Sequence, residues 1–208
     1  MSHTHRYTAT EVAFVLREPL KSVKKALDQG PVRPALLHRS GASVRAIGWS
    51  DLFYLYAVRA LRDELTPKAR IEFYEALQRE PVERGRDVRF GRLRVAVSDL
   101  IDEVEQRTTT LSALVDKVEF RPDGEALLKD SRIEVHRIAA LLDGGMSVDR
   151  ILADYPSLSR DSVEFTRMYA SAYPKPGRPY PPMTAKQALR GAGLEALDEV
   201  LGDSNVAE

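Results

Sequence analysis

The chain has 208 residues, 43% of them apolar, enough to bury a real core in one large or two small domains. Its 31 basic and 31 acidic residues cancel, so net charge argues neither for nor against nucleic acid. The absence of cysteine excludes disulfides and thiolate metal sites and suits the cytoplasm, and no apolar run approaches the roughly 20 residues that span a bilayer.

The charge is unevenly placed. Residues 1–50 carry eight Lys/Arg against three Asp/Glu, and the remainder carries 23 against 28. A basic end on an otherwise acidic chain points to a polyanion partner for that end. The opening "MSHTHRYTAT" lacks an apolar core segment, so no signal peptide is expected.

The first elements come from "YTATEVAFVLREPLKSVKKALDQG". Thr8 and Glu11 fit a capping box, and Val12, Val15 and Leu16 form one apolar face. Pro19 suits the first turn of a second helix, which ends near Gly30. Leu20, Val23 and Leu27 face inward there, with Lys21, Lys24 and Lys25 on the other side. "PALLHRSGASVRAIGW" then reads as two strands around Ser40-Gly41, flanked by Arg39 and Arg45. Two helices followed by a basic hairpin are similar to the MerR-type winged helix-turn-helix, which shares the opening "YT-x-x-EVA". The family's small turn residue is replaced by Arg17-Glu18-Pro19. Lys21, Lys24, Lys25, Arg39 and Arg45 are the candidate DNA-binding residues, although a solvated basic face would look the same. Phosphate contacts by these five residues would give a log–log salt slope of about −5.

Ser50 or Asp51 is expected to cap a helix through about Leu65, and Thr66-Pro67 to start another, "PKARIEFYEALQRE". In "DVRFGRLRVAV" the alternation slips at Gly91-Arg92, which predicts a bulge or tight turn in a short sheet. "SDLIDEVEQRTTTL" reads as a helix, and "VDKVEF" as a further strand. This middle region is expected to join two terminal domains or to build a dimer surface.

"LLDGGMSVDRILADYPSLSRD" (Leu141 to Asp161) stops and starts helices at short intervals. Val135, Ile138 and Leu142 share a face that ends at Gly144-Gly145. Ser147 caps a short helix closed by Pro156, and Ser159 caps a third. Three helices with short turns make a helix-turn-helix layout or a plain structural bundle. On the last helix Arg160, Glu164, Arg167 and Ser171 form a narrow polar stripe. Phe165, Met168 and Tyr169 lie on a wide apolar arc that predicts a protein contact, a second copy of the chain included.

"DSRIEVHRIAALLDGGMSVDRILADYPSLSRDSVEFTRMYA" resembles the small helix-turn-helix domain found in VapB-type antitoxins. The likeness covers roughly residues 118–173 and rests on Arg132-Ile133-Glu134-Val135, Leu141 to Gly145, Ile151 to Pro156, and Leu158-Ser159. Gly124 and Arg132 match the family's first turn, while its Pro and second Gly are absent. The resemblance implies a type II antitoxin whose partner is a PIN-like ribonuclease, an enzyme that holds Mg²⁺ or Mn²⁺ on clustered carboxylates.

After Tyr173, "PKPGRPYPPM" favours an extended conformation. A small amphipathic helix is expected beyond it, then a disordered end. An extended arm with such a helix can wrap a partner, or be an ordinary frayed tail. Arg178, Lys186 and Arg190 are candidates to enter a carboxylate pocket on the toxin, with Leu189, Leu194 and Leu197 as apolar contacts.

No enzyme is expected. The chain has no phosphate-cradling Gly-rich loop. Its histidines, His3, His5, His38 and His136, form no metal-binding spacing, so no catalytic residue, metal or cofactor is assigned. The expected fold is mainly α with short β-hairpins: a winged helix-turn-helix followed by a second, three-helix helix-turn-helix domain. The expected division is residues 1–80, a connecting segment 81–117, the antitoxin-type domain 118–174 and a tail 175–208. Three functions rank in order: a cytoplasmic, dimeric antitoxin that binds its operator and its toxin; a MerR-like regulator without a toxin; a structural adaptor.

Overall fold

The computed structural model describes residues 5–39, 42–175, 177, 180, 181 and 183, with Arg39 and Ala42 by backbone alone. Among these residues the chain is mainly helical, with a few short antiparallel strands. It divides into two units: one runs to Asp116 and includes Ser171–Tyr173, the other covers Lys117–Ala170 and the residues from Pro174.

The first unit opens with β1 (Tyr7–Thr8), α1 (Ala9–Leu16), α2 (Leu20–Gln29), β2 (Ala35–Arg39) and β3 (Ala42–Ile47). The capping box forms: Glu11 donates its N–H to the Thr8 hydroxyl (3.4 Å), and its carboxylate accepts from the Thr8 N–H (2.7 Å) and hydroxyl (2.9 Å). These bonds let a carboxylate lie buried beside Val12 and Val15. Pro19 sits just ahead of α2, and α2 stops at Gly30, where a Cβ would come within 2.5 Å of the Ala26 carbonyl oxygen. β2 and β3 pair antiparallel with His38 opposite Ser43, and β1 adds to the other edge of β3, giving the order β1-β3-β2.

Next come α3 (Trp49–Ala60), α4 (Pro67–Arg79), the hairpin of β4 (Val88–Phe90) and β5 (Leu93–Val95), and α5 (Ser98–Asp116). Neither Ser50 nor Asp51 is the N-cap of α3. Gly48 is, and Asp51 reaches back to accept its N–H (3.3 Å) while also accepting from the Tyr74 hydroxyl (3.0 Å). α3 ends at Ala60 rather than Leu65. Thr66 caps α4, accepting from the Ala69 N–H (3.2 Å). Gly91 makes the tight turn between β4 and β5 with φ of 53°.

The segment 81–117, expected as a connector, is instead part of the first unit through Asp116. β4 packs on α4, with the Phe73 and Phe90 rings 5.1 Å apart, and α5 packs on α1 and α3. The reason is burial: Phe90, Val97, Ile101, Val104 and Leu111 are all inside, each worth about 1.5–3 kcal/mol of transfer free energy.

The second unit holds β6 (Val118–Phe120), β7 (Ala126–Leu128), α6 (Val135–Asp143), α7 (Val148–Asp154) and α8 (Arg160–Ala172), the last through Ala170. Val118 pairs with Leu128 across the two strands. α6 ends in a Schellman motif: Gly145 is left-handed (φ 86°), its N–H donates to the Leu142 carbonyl (2.9 Å), and the Met146 N–H donates to the Leu141 carbonyl (3.0 Å). Ser147 then caps α7 by accepting from the Arg150 N–H (3.3 Å), and Ser159 accepts from the Ser162 N–H (3.1 Å) at the start of α8.

Candidate functional site

α2 shows two faces. Val23 and Leu27 are buried, while Lys21, Lys24 and Lys25 are exposed and carry no ion pair among the described residues. The adjoining hairpin supplies less charge than its sequence promised. Arg45 is paired with Asp28 of α2 at 2.6 Å, both side chains about half exposed, so its charge is partly offset. The Arg39 side chain and the tip residues Ser40 and Gly41 lie outside the described residues. In register, Leu36 shares a face with His38, Ser43 and Arg45, and it is 67% exposed. The hairpin therefore presents an apolar residue beside polar ones.

The turn between α1 and α2 is a second Schellman motif, closed by an arginine instead of glycine. Arg17 has φ 54° and ψ 45°. Its N–H donates to the Phe14 carbonyl (3.1 Å), and the Glu18 N–H donates to the Ala13 carbonyl (3.0 Å). The two carbonyls left over at the helix end are met from other elements. Arg107 of α5 donates to the Val15 carbonyl (3.0 Å), and Arg59 of α3 donates to the Leu16 carbonyl. All four terminal acceptors are thus satisfied. The turn at Arg17-Glu18-Pro19 is thus closed without glycine, at the cost of a left-handed side-chain-bearing residue.

In the second unit a buried carboxylate organises the polar contacts. Glu125 is 8% exposed. It faces His136 Nδ1 at 3.0 Å and accepts from Lys175 Nζ. Burial alone raises its pKa, but the Lys175 and His136 hydrogen bonds outweigh burial and hold the carboxyl below its ordinary range. Burial works against the Lys175 charge, yet the bond to Glu125 raises the ammonium above its usual value. Lys175 also lies 4.3 Å from the centre of the Tyr180 ring, whose hydroxyl donates to Glu134 (2.7 Å). The start of the proline-rich segment is therefore tied to the unit by Lys175 and Tyr180. Sequence reasoning missed this cluster: it noted only that His136 forms no metal-binding spacing.

The apolar arc of α8 is mostly internal. Phe165 and Tyr169 are 4% and 3% exposed, with Lys117 over the Phe165 ring and His136 edge-on to Tyr169. These two cannot serve as dimer contacts without opening the core. Met168 alone of the three is exposed, at 44%. On the polar stripe Arg160 pairs with Asp149 (2.5 Å) and Arg167 with Glu164 (3.9 Å), so the outer face of α8 is close to neutral. The expected toxin contacts Arg178, Lys186, Arg190, Leu189, Leu194 and Leu197 all lie outside the described residues. Among the described residues no three His, Asp or Glu side chains gather into a metal site, and no helix is long and apolar enough to cross a membrane.

Residues 122–170 match the family described as "Protein of unknown function (DUF433)". That stretch begins just before Glu125 and ends within α8. Over 187 residues the chain is 27% identical to the uncharacterized protein y4eO of Sinorhizobium fredii (strain NBRC 101917 / NGR234), covering 82% of each chain. Among solved structures it is similar to the crystal structure of Rv2018 from Mycobacterium tuberculosis, with 16% identity, a TM-score of 0.30, and coverage of 77% of this chain and 96% of that one.

Proposed function

We propose that the chain is a DNA-binding antitoxin of the type II class: a winged helix-turn-helix in its first unit grips operator DNA, and its C-terminal part inhibits a PIN-like ribonuclease. The observation that carries the DNA reading is the exposed, unpaired lysine triplet on α2, beside the β2–β3 hairpin. The order β1-α1-α2-β2-β3, with a tight turn between the helices, suits a recognition helix and a wing. Arg45 is committed to Asp28, so the electrostatic grip falls mainly to Lys21, Lys24 and Lys25. Three phosphate contacts give a log–log salt slope of about −3, shallower than the −5 expected from sequence.

The antitoxin reading is supported by the resemblance of the second unit to the domain of VapB-type antitoxins. There the neutral outer face of α8 fits protein contact better than base reading. Arg178, Lys186 and Arg190 of the tail would meet the toxin's carboxylates, and a dimer would pair two half-sites. Its contact would use Met168 or the exposed Leu93 of the middle hairpin. The deciding experiment is co-expression with the adjacent gene, read by growth and by size exclusion. Rescue of growth and a stable complex are expected. A neighbour that is harmless alone and elutes separately would leave a one-component MerR-like regulator as the better reading.

A further inference from the structure

The end of α1 borders a pocket of about 330 Å³ that the DNA reading does not use, lined by Leu16, Arg17, Tyr56, Arg59, Ala60 and Arg107. Three arginines line it: Arg17 in the α1–α2 turn, Arg59 of α3 and Arg107 of α5. Arg59 is matched by Glu18 at 2.9 Å. Arg107 is matched by Glu103 at 3.3 Å and lies 4.9 Å from the centre of the Tyr56 ring. Arg17 is exposed and has no ion pair or side-chain hydrogen bond among the described residues. Three cations thus face two carboxylates, and one positive charge is left over.

The backbone supplies an independent observation. Arg17 occupies a left-handed position that glycine fills without strain. Turn geometry therefore gives no reason for an arginine, and its side chain is what the position gains. We propose that Arg17 anchors a phosphate group in this pocket, flanked by the guanidinium hydrogens of Arg59 and Arg107 that are not engaged by Glu18, Glu103 or the Leu16 and Val15 carbonyls. A tetrahedral phosphate offers oxygens to donors arriving from three directions, whereas a planar carboxylate is filled by one guanidinium fork. The volume suits a small phosphorylated compound. The same chemistry could come from the phosphate of a DNA backbone, and the test separates the two sources.

The full-length protein is unfolded thermally with and without inorganic phosphate, against chloride at matched ionic strength. The single tryptophan, Trp49, is buried in the first unit and reports on it. Phosphate is expected to raise Tm saturably. Arg17→Gly is expected to melt about 3 °C higher in chloride, because relieved strain exceeds the added chain freedom, and to lose the phosphate response. Arg17→Asn, which tolerates the left-handed region without a cation, should lose it too. If free phosphate has no effect but Arg17→Asn lowers the salt slope for upstream duplex DNA by about 1, the phosphate belongs to the nucleic acid. A wild-type protein indifferent to phosphate, with variants that bind duplex unchanged, overturns the proposal, and so does a phosphate response retained in both variants. The phosphate arm contains no DNA, so its outcome is independent of the operator reading.

Discussion

At the scale of single residues, the same turn is built twice with opposite choices. Gly145 takes its left-handed position freely, and Arg17 takes the equivalent one under strain. Gly145→Ala should therefore cost about 1 kcal/mol by chemical denaturation; no loss would mean the turn at α6 tolerates a side chain. Glu125 is a buried carboxylate of the second unit with two cationic or imidazole partners. Removing its ionised form leaves Lys175 and His136 without their shared carboxylate, and Glu125→Gln should cost about 2 kcal/mol at neutral pH. The folded carboxyl titrates below the ordinary value of 4.5. Its contribution is thus complete above that value and is lost as pH falls through the lowered one. The stability gap between wild type and Glu125→Gln should close on acidification. A gap of equal size at pH 7 and pH 3 would contradict the assignment.

At the scale of elements, short-range signals carried most of the information. The Thr8–Glu11 box, the Thr66 and Ser147 caps and the Gly144-Gly145 stop were legible, because each is decided within a few residues. Ser147→Ala should cost about 1 kcal/mol and loosen α7, measurable by amide exchange on Val148 to Asp154. What the sequence hid depends on distance along the chain. Asp28 and Arg45 are 17 positions apart, and Glu125 is 11 from His136 and 50 from Lys175. No periodicity reports such pairs. Reading Arg39 and Arg45 as a two-arginine grip overlooked the carboxylate waiting on α2. Reading Phe165 and Tyr169 as surface overlooked that a wide apolar arc on one helix is first needed by its own core.

At the scale of the whole molecule, the proposed function divides labour between two units and a tail. Deleting residues 181–208 should abolish toxin neutralisation while leaving Lys175 and Tyr180 in place and operator binding intact; neutralisation by the truncated chain would move the inhibitory contact into the helical domain. The proposed DNA binding depends on the lysines of α2 holding the duplex. Its most direct measurement is the salt dependence of binding to upstream DNA for the wild type and for Lys21→Gln/Lys24→Gln/Lys25→Gln. The side chains are exposed, so the fold should survive, as circular dichroism would verify. The log–log slope should fall in magnitude by about 3, with affinity lost across all sequences. A triple variant that keeps both the slope and the affinity of the wild type would contradict it.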